Sequence, residues 1–253
     1  MIDDLKRLSK NAVYIYKKDS FRPIFVGLKN YLKELFVIPF AIYKIKKIKN
    51  NNLDSSINFV FNDIFELIKP FQIKSELYEL LLILKNKKLE NILEIGTAKG
   101  GSLFLFCSIA SQDALIISID LPGGSFGGGY PSWKLPLYNS FPQKNQSLHL
   151  LRMDSHNKKT KTVVENLLGK KKFDFIFIDG DHTYDGVKKD CEMFKDLLSK
   201  NGIIAFHDIV PGPESAVGGA FKFWDEIKIK YNTREIVENP KQCEAGIGLI
   251  LNE

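Results

Sequence analysis

The chain has little that would staple it, carry it across a bilayer or mark it for export. It holds three cysteines in 253 residues, Cys107, Cys191 and Cys243, and no CxxC pair. That excludes a disulfide scaffold and a cysteine-built zinc site, and it points to reduced thiols in a cytoplasmic setting. No apolar run approaches the roughly 20 residues that a membrane-spanning helix needs. The amino terminus shows neither the uninterrupted apolar core nor the small-residue cleavage site of a signal peptide. Internal repeats and low-complexity tracts are missing as well. Histidine is scarce, four in all, so the places where it stands carry information.

What is present suits one large α/β domain with an accessory segment, since hydrophobic residues make up 44% of the chain and can bury a full core. Charge is uneven. Residues 1–50 hold twelve Lys/Arg against four Asp/Glu, whereas the remaining 203 hold 24 against 26. The basic character therefore belongs to the amino-terminal segment, and the body offers no broad nucleic-acid footprint. Within that segment Leu35–Tyr43 is apolar, is broken by Pro39, and runs into Lys44, Lys46, Lys47 and Lys49. Three readings stay open: helices packed on the main domain or on a second subunit, a peripheral membrane contact through residues 35–49, and single-strand binding. Residues 57–68 and 73–84 read as helical, so 1–86 is expected to be a basic helical segment and 87–253 the main domain.

From Asn91 onward apolar strands alternate with helical patterns. Strands are expected at 92–95, 115–119, 149–152, 173–178, 203–206, 235–237 and 246–251. Helices are expected at 103–110 and 160–168, after His182 as far as Asn201-Gly202, and at 221–229. That order implies a doubly wound, mostly parallel sheet. Ligands bind such sheets at the carboxyl ends of the strands. The informative stretch is Phe173–Asp208. Its first apolar run ends in Asp179-Gly180-Asp181-His182 and its second in His207-Asp208. With His156, three of the four histidines stand just beyond strand ends. Acids and histidines gathered on one edge need a cation or a substrate to justify them. Oxygen ligands suit Mg²⁺, and a histidine admits Mn²⁺. Neighbours in a strand face opposite ways, so His207 and Asp208 reach one ion only if the strand has already turned.

The first strand runs into Gly96-Thr97-Ala98-Lys99-Gly100-Gly101-Ser102, and Asp120 ends the second. Glycines there let a backbone approach a ligand, and the helix start offers free N–H groups. The spacing Glu94-x-Gly96-x-x-x-Gly100 departs from the dinucleotide fingerprint. It resembles the first motif of the class I S-adenosylmethionine-dependent methyltransferases, and so does the seven-stranded Rossmann-like order. The resemblance implies that Glu94, Gly96 and Gly100 surround the methionine portion, that Asp120 holds the ribose and that Asp154 lies by the adenine. Thr97, Ser102, Ser155 and Asp179 complete that cofactor set.

The chemical end resembles the metal-dependent O-methyltransferases, including the macrolide-sugar enzymes and the cephalosporin hydroxylase-like group. This implies Asp179, His207 and Asp208 as ligands of Mg²⁺ or Mn²⁺, with Asp181 competing, and His182 as the base. The acceptor would be a sugar, glycan or natural-product hydroxyl, with no nucleic acid expected and a homo-oligomer left open. Two rivals share the fold: a metal-dependent hydrolase or oxygenase, and a cofactor-binding scaffold without catalysis. The loop 122–142 is too long for an ordinary connection. Its Tyr130, Trp133, Lys134 and Tyr138 either cover the cofactor or grip a sugar, or else pin the loop to the surface.

Overall fold

A computed structural model describes residues 22–48, 52–123 and 129–252. Its centre is a seven-stranded sheet in the order β3-β2-β1-β4-β5-β7-β6. The strands are β1 (Asn91–Ile95), β2 (Leu115–Ile119), β3 (Ser147–Leu151), β4 (Phe173–Ile178), β5 (Leu198–His207), β6 (Thr233–Ile236) and β7 (Ile247–Leu251). Pairing is parallel from β3 through to β5, and β7 runs antiparallel to both β5 and β6. Because β1 pairs with both β2 and β4, the strand order reverses there, and a crevice opens at that point in such folds.

The central strands are buried on both faces, as parallel strands covered by helices must be. Alternation sends Phe175 and Phe177 of β4 to one side, where both rings meet Phe106 edge-on at 5.1 and 5.4 Å. Ile176 and Ile178 go to the other side, joining Phe206, Phe223 and Trp224. The first layer is largely built by the amino-terminal extension. Helices Leu53–Asn62 and Lys74–Lys85 pack on helix Gly101–Ile109, and Ile45 of helix Arg22–Ile48 joins the same core as Val60, Leu77, Leu80 and Leu84.

Four expectations shift. The helix after Thr183 ends at Phe194, a 3-10 turn covers Lys195–Leu197, and β5 already starts at Leu198. Asn201-Gly202 therefore lies inside the strand, where the register against β4 slips between Phe173 and Phe175; it stops no helix. The second amino-terminal helix begins at Lys74, so Ile73 is a flank residue and not part of its buried stripe. Loop residues Tyr130, Lys134 and Tyr138 are buried. Tyr130 packs edge-on to Tyr138 at 4.9 Å, and the Tyr138 hydroxyl donates to the Ala98 carbonyl at 2.9 Å. Trp133 Nε1 donates to Glu34 at 3.0 Å, and Lys134 pairs with the same carboxylate at 3.4 Å. These four side chains pin the loop to the domain. The rest of the lid expectation falls on residues 124–128, outside the described residues.

Candidate active site

The carboxyl edge of β1, β2, β4 and β5 opens into a cavity of about 300 Å³. Gly96, Ala98 and Asp120 form one wall, Asp179, Gly180, His182, His207 and Asp208 another, and Phe71, Ile73, Val217, Glu244 and Ala245 the remainder.

The turn after β1 depends on glycine. Gly96 has φ +97°, and a Cβ there would stand 2.0 Å from the Asp179 carbonyl oxygen. No other residue combines that backbone with that contact. Its N–H donates to the Ile119 carbonyl, and the Asp179 N–H donates to Ile95, both at 2.8 Å. Three strand ends are thereby stitched together at one point. Ala98 also sits in the left-handed region, at φ +43°, where an alanine is strained. The Asp120 carboxylate holds it there by accepting the N–H groups of Thr97 at 3.0 Å and Ala98 at 2.7 Å. Burial pushes the Asp120 carboxyl above its usual range, while the Ala98, Leu121, Thr97 and Gly129 N–H groups pull the other way.

Glu94 is fully buried and does not line the cavity. Ser102 and Ser118 each donate a hydroxyl to it at 2.6 Å, and Ser118 lies 2.5 Å from the Thr97 hydroxyl. Burial pushes the Glu94 carboxyl up to about 8, against the lowering effect of those two hydroxyls. Glu94, Ser102 and Thr97 thus act from behind the turn, shaping it. Sequence reasoning missed Ser118, although a polar residue inside the apolar run of β2 must find a partner when buried.

Asp154 and Ser155 do not line the cavity either. Asp154 is exposed; its Oδ1 accepts the His156 N–H at 2.8 Å, and its carbonyl accepts the Thr160 hydroxyl at 2.6 Å. His156 stands 3.3 Å from the buried Asp190 carboxylate and 3.2 Å from the Gly186 carbonyl. It ties the turn after β3 to helix Tyr184–Phe194 and is no part of the acid–histidine group.

That group is compact. His182 Nδ1 lies 2.9 Å from Asp208 Oδ2, and its Nε2 lies 3.5 Å from Asp179 Oδ1. His207 Nδ1 lies 3.0 Å from Asp179 Oδ1 and 3.2 Å from Asp208 Oδ1. Asp208 has φ +59°, so the chain does turn immediately after β5, and the condition for these neighbours to face one centre is met. Burial opposes charge on His207, yet the Asp179 and Asp208 carboxylates hold it well above the ordinary histidine range. Burial likewise works against ionised Asp208, but the charge of His207 and the hydrogen bond from His182 hold its carboxyl well below the usual range.

Two contributors were not legible in the sequence. Gln72, 5% exposed, donates its Nε2 to Asp179 Oδ2 at 2.6 Å from 107 residues away. Gly218, at φ +57°, lets the chain pass so close that a Cβ would meet the His182 carbonyl oxygen at 2.3 Å, and the Gly219 N–H donates to that oxygen at 2.7 Å. His182 is therefore clamped by its backbone as well as by Asp208. The 1–86 segment also reaches the site, with Phe71 and Ile73 in the wall and Gln72 on Asp179.

The residues present fit a divalent cation. Ligand atoms of Asp179, His182 and Asp208 all lie within 4.8 Å of one another, and two carboxylates with one imidazole suit Mg²⁺ or Mn²⁺. This set differs from the sequence expectation, with His182 inside it and His207 outside. The buried Nε2 of His207 has no hydrogen-bond partner among the described residues. Asp181, the competing ligand, uses its Oδ1 on the Thr183 N–H at 2.9 Å and packs towards Gly186.

Residues 93–209 match the family described as a methyltransferase domain. Among solved structures the fold is similar to the O-methyltransferase TomG from Streptomyces achromogenes, involved in tomaymycin synthesis and solved with SAM. There the identity is 14% and the TM-score 0.54, with 79% of this chain and 89% of that one covered. An O-methyltransferase from Bacillus cereus, in complex with SAH, is similar at 17% identity and TM-score 0.51, covering 85% and 99%. No curated protein matches the sequence significantly.

Proposed function

We propose that the chain is a class I S-adenosylmethionine-dependent methyltransferase and that it methylates an acceptor hydroxyl held against the cluster Asp179, His182, His207 and Asp208. One observation carries this: two histidines and two carboxylates converge within hydrogen-bonding distance at the strand edge, in the same cavity as the Gly96 turn and Asp120. When bound, S-adenosylmethionine supplies an electrophilic methyl group, and a divalent cation supplies the positive charge that lowers an alcohol's pKa. Glu94, Gly96, Thr97, Gly100, Ser102, Asp120, Asp154 and Ser155 are the proposed donor-side residues, the first five by shaping the turn. Asp179 and Asp208 would hold the cation, which leaves His182 Nε2 to act as the base.

His182 serves as base. Donation from its Nδ1 to Asp208 fixes the tautomer in which Nε2 is the proton acceptor, facing the cavity. The same 2.9 Å contact favours a second reading, in which a His182–Asp208 pair deprotonates the acceptor with no metal. The acceptor is a sugar, glycan or natural-product alcohol. Phe71 supports this choice, for it offers a ring that is 60% exposed at the cavity wall, able to stack on a sugar face. A cytoplasmic setting belongs to the proposal and rests on three free cysteines.

Thermal-shift titration tests it. S-adenosylhomocysteine should raise the midpoint and Mn²⁺ or Mg²⁺ should add to the rise, while an acceptor screen by mass spectrometry seeks a product heavier by one CH₂. No response to the nucleoside would sink the methyltransferase reading. Full turnover in excess chelator would favour the metal-free base.

A further inference from the structure

The long helix Arg22–Ile48 carries two opposed faces over its carboxyl half. Ile38, Ala41 and Ile45 are buried in the domain core. Phe36 is 82% exposed, Tyr43 54% and Phe40 46%, although all three are large apolar side chains. At about 100° per residue, Phe36, Phe40, Tyr43 and Lys47 fall within about 60° of one another, and the buried trio lies opposite. Lys47 lies over the Tyr43 ring at 4.5 Å and Lys44 over the Phe40 ring at 5.5 Å. Lys46 is exposed beside them. No acidic residue occurs between Glu34 and Asp54. The inward face of this helix is accounted for by the core, so packing on the domain does not explain the outward aromatics.

Aromatic rings in one row with ammonium groups level with them match the boundary of an anionic bilayer, where rings enter the acyl edge and lysines meet lipid phosphates. No described helix is long and apolar enough to cross a membrane, so the contact would lie in the interface plane. We propose that this stripe seats the enzyme peripherally on an anionic lipid surface. The charge argues for this occupant over a second copy of the chain, since a like-charged stripe would face itself across a two-fold axis. The helix also holds Trp133 and Lys134 through Glu34 on its inner side, so the stripe can be altered without disturbing that link.

Flotation of the full chain with phosphatidylcholine vesicles, with and without phosphatidylglycerol, decides the matter. The wild type should float with the anionic vesicles, be released by high salt, and stay behind with phosphatidylcholine alone. Replacing Phe36, Phe40 and Tyr43 by Ser should cut the floated fraction by about tenfold or more. A second variant, with Lys44, Lys46 and Lys47 changed to Gln, should lose the dependence on phosphatidylglycerol. Wild-type flotation by both variants would overturn the proposal, as would equal partition into both vesicle types. A wild type that is dimeric by ultracentrifugation and becomes monomeric in the Ser variant would instead assign the face to a second copy.

Discussion

Glu94→Gln isolates the energetic cost of the buried acid behind the donor turn. The amide keeps the shape and can still bond Ser102 and Ser118, whose hydroxyls reorient to accept or donate. What it removes is ionisation. Burial pushes the Glu94 carboxyl up to about 8 in the fold, against an ordinary value of 4.5, so the native state holds its proton more tightly than the unfolded chain. Stability from this group is fully present below about 4.5 and is lost as pH rises towards 8. At 1.36 kcal/mol per pK unit, the wild type should lose about 3 kcal/mol relative to Glu94→Gln between pH 5 and pH 8. For a chain of this size that is on the order of 10 °C in midpoint. The assay is differential scanning fluorimetry of both proteins across that range. The gap between the two midpoints should be small at pH 5 and widen steadily to pH 8. A gap that stays constant would refute the reasoning, because it would mean that Glu94 is already ionised throughout.

Three further outcomes follow from the site geometry. Gly96→Ala puts a methyl group 2.0 Å from the Asp179 carbonyl oxygen at a positive φ, and should cost about 3 kcal/mol or more of stability, together with S-adenosylhomocysteine binding measured by calorimetry. Gln72→Leu removes a charge-assisted hydrogen bond to Asp179, and should lower kcat/KM by about 10- to 100-fold while leaving donor affinity unchanged; full activity would mean that Asp179 needs no such support. His182→Gln should lower kcat by at least about 100-fold with donor binding intact; survival of turnover would place the base elsewhere.

The parts of the fold that were legible are those specified by local pattern. β2 and β4 were placed to the residue, because Leu115–Ile119 and Phe173–Ile178 are apolar runs with one polar residue each, closed by an acid. β5 was placed late because Leu198-Ser199-Lys200-Asn201 is half polar and enters the sheet only through a slipped register with β4. In the site, Asp179, His182, His207 and Asp208 could be found by their position at strand ends, a property of chain order. Their division of labour could not, because it depends on the left-handed turn at Asp208, on Gly218 lying against His182, and on side-chain distances of about 3 Å.

The boundary drawn at residue 86 shows the same limit from the other side. Composition separated a basic helical segment from an α/β body, yet composition says nothing of where the segment's apolar face goes. In the fold, Leu77, Leu80 and Leu84 belong to the same core as Phe104, Phe106 and Phe177. Phe59 meets Phe104 at 5.7 Å, and the buried Glu76 accepts N–H groups of Glu238 and Gly246, both at 3.0 Å. Removing residues 1–86 would therefore strip the outer cover from helix Gly101–Ile109 and its side of the sheet, leave those N–H groups without their acceptor, and take Gln72 from Asp179. The fragment 87–253 should show no cooperative thermal transition and no response to S-adenosylhomocysteine. A fragment that melted cooperatively and bound the nucleoside would mean that the extension merely decorates a self-sufficient domain.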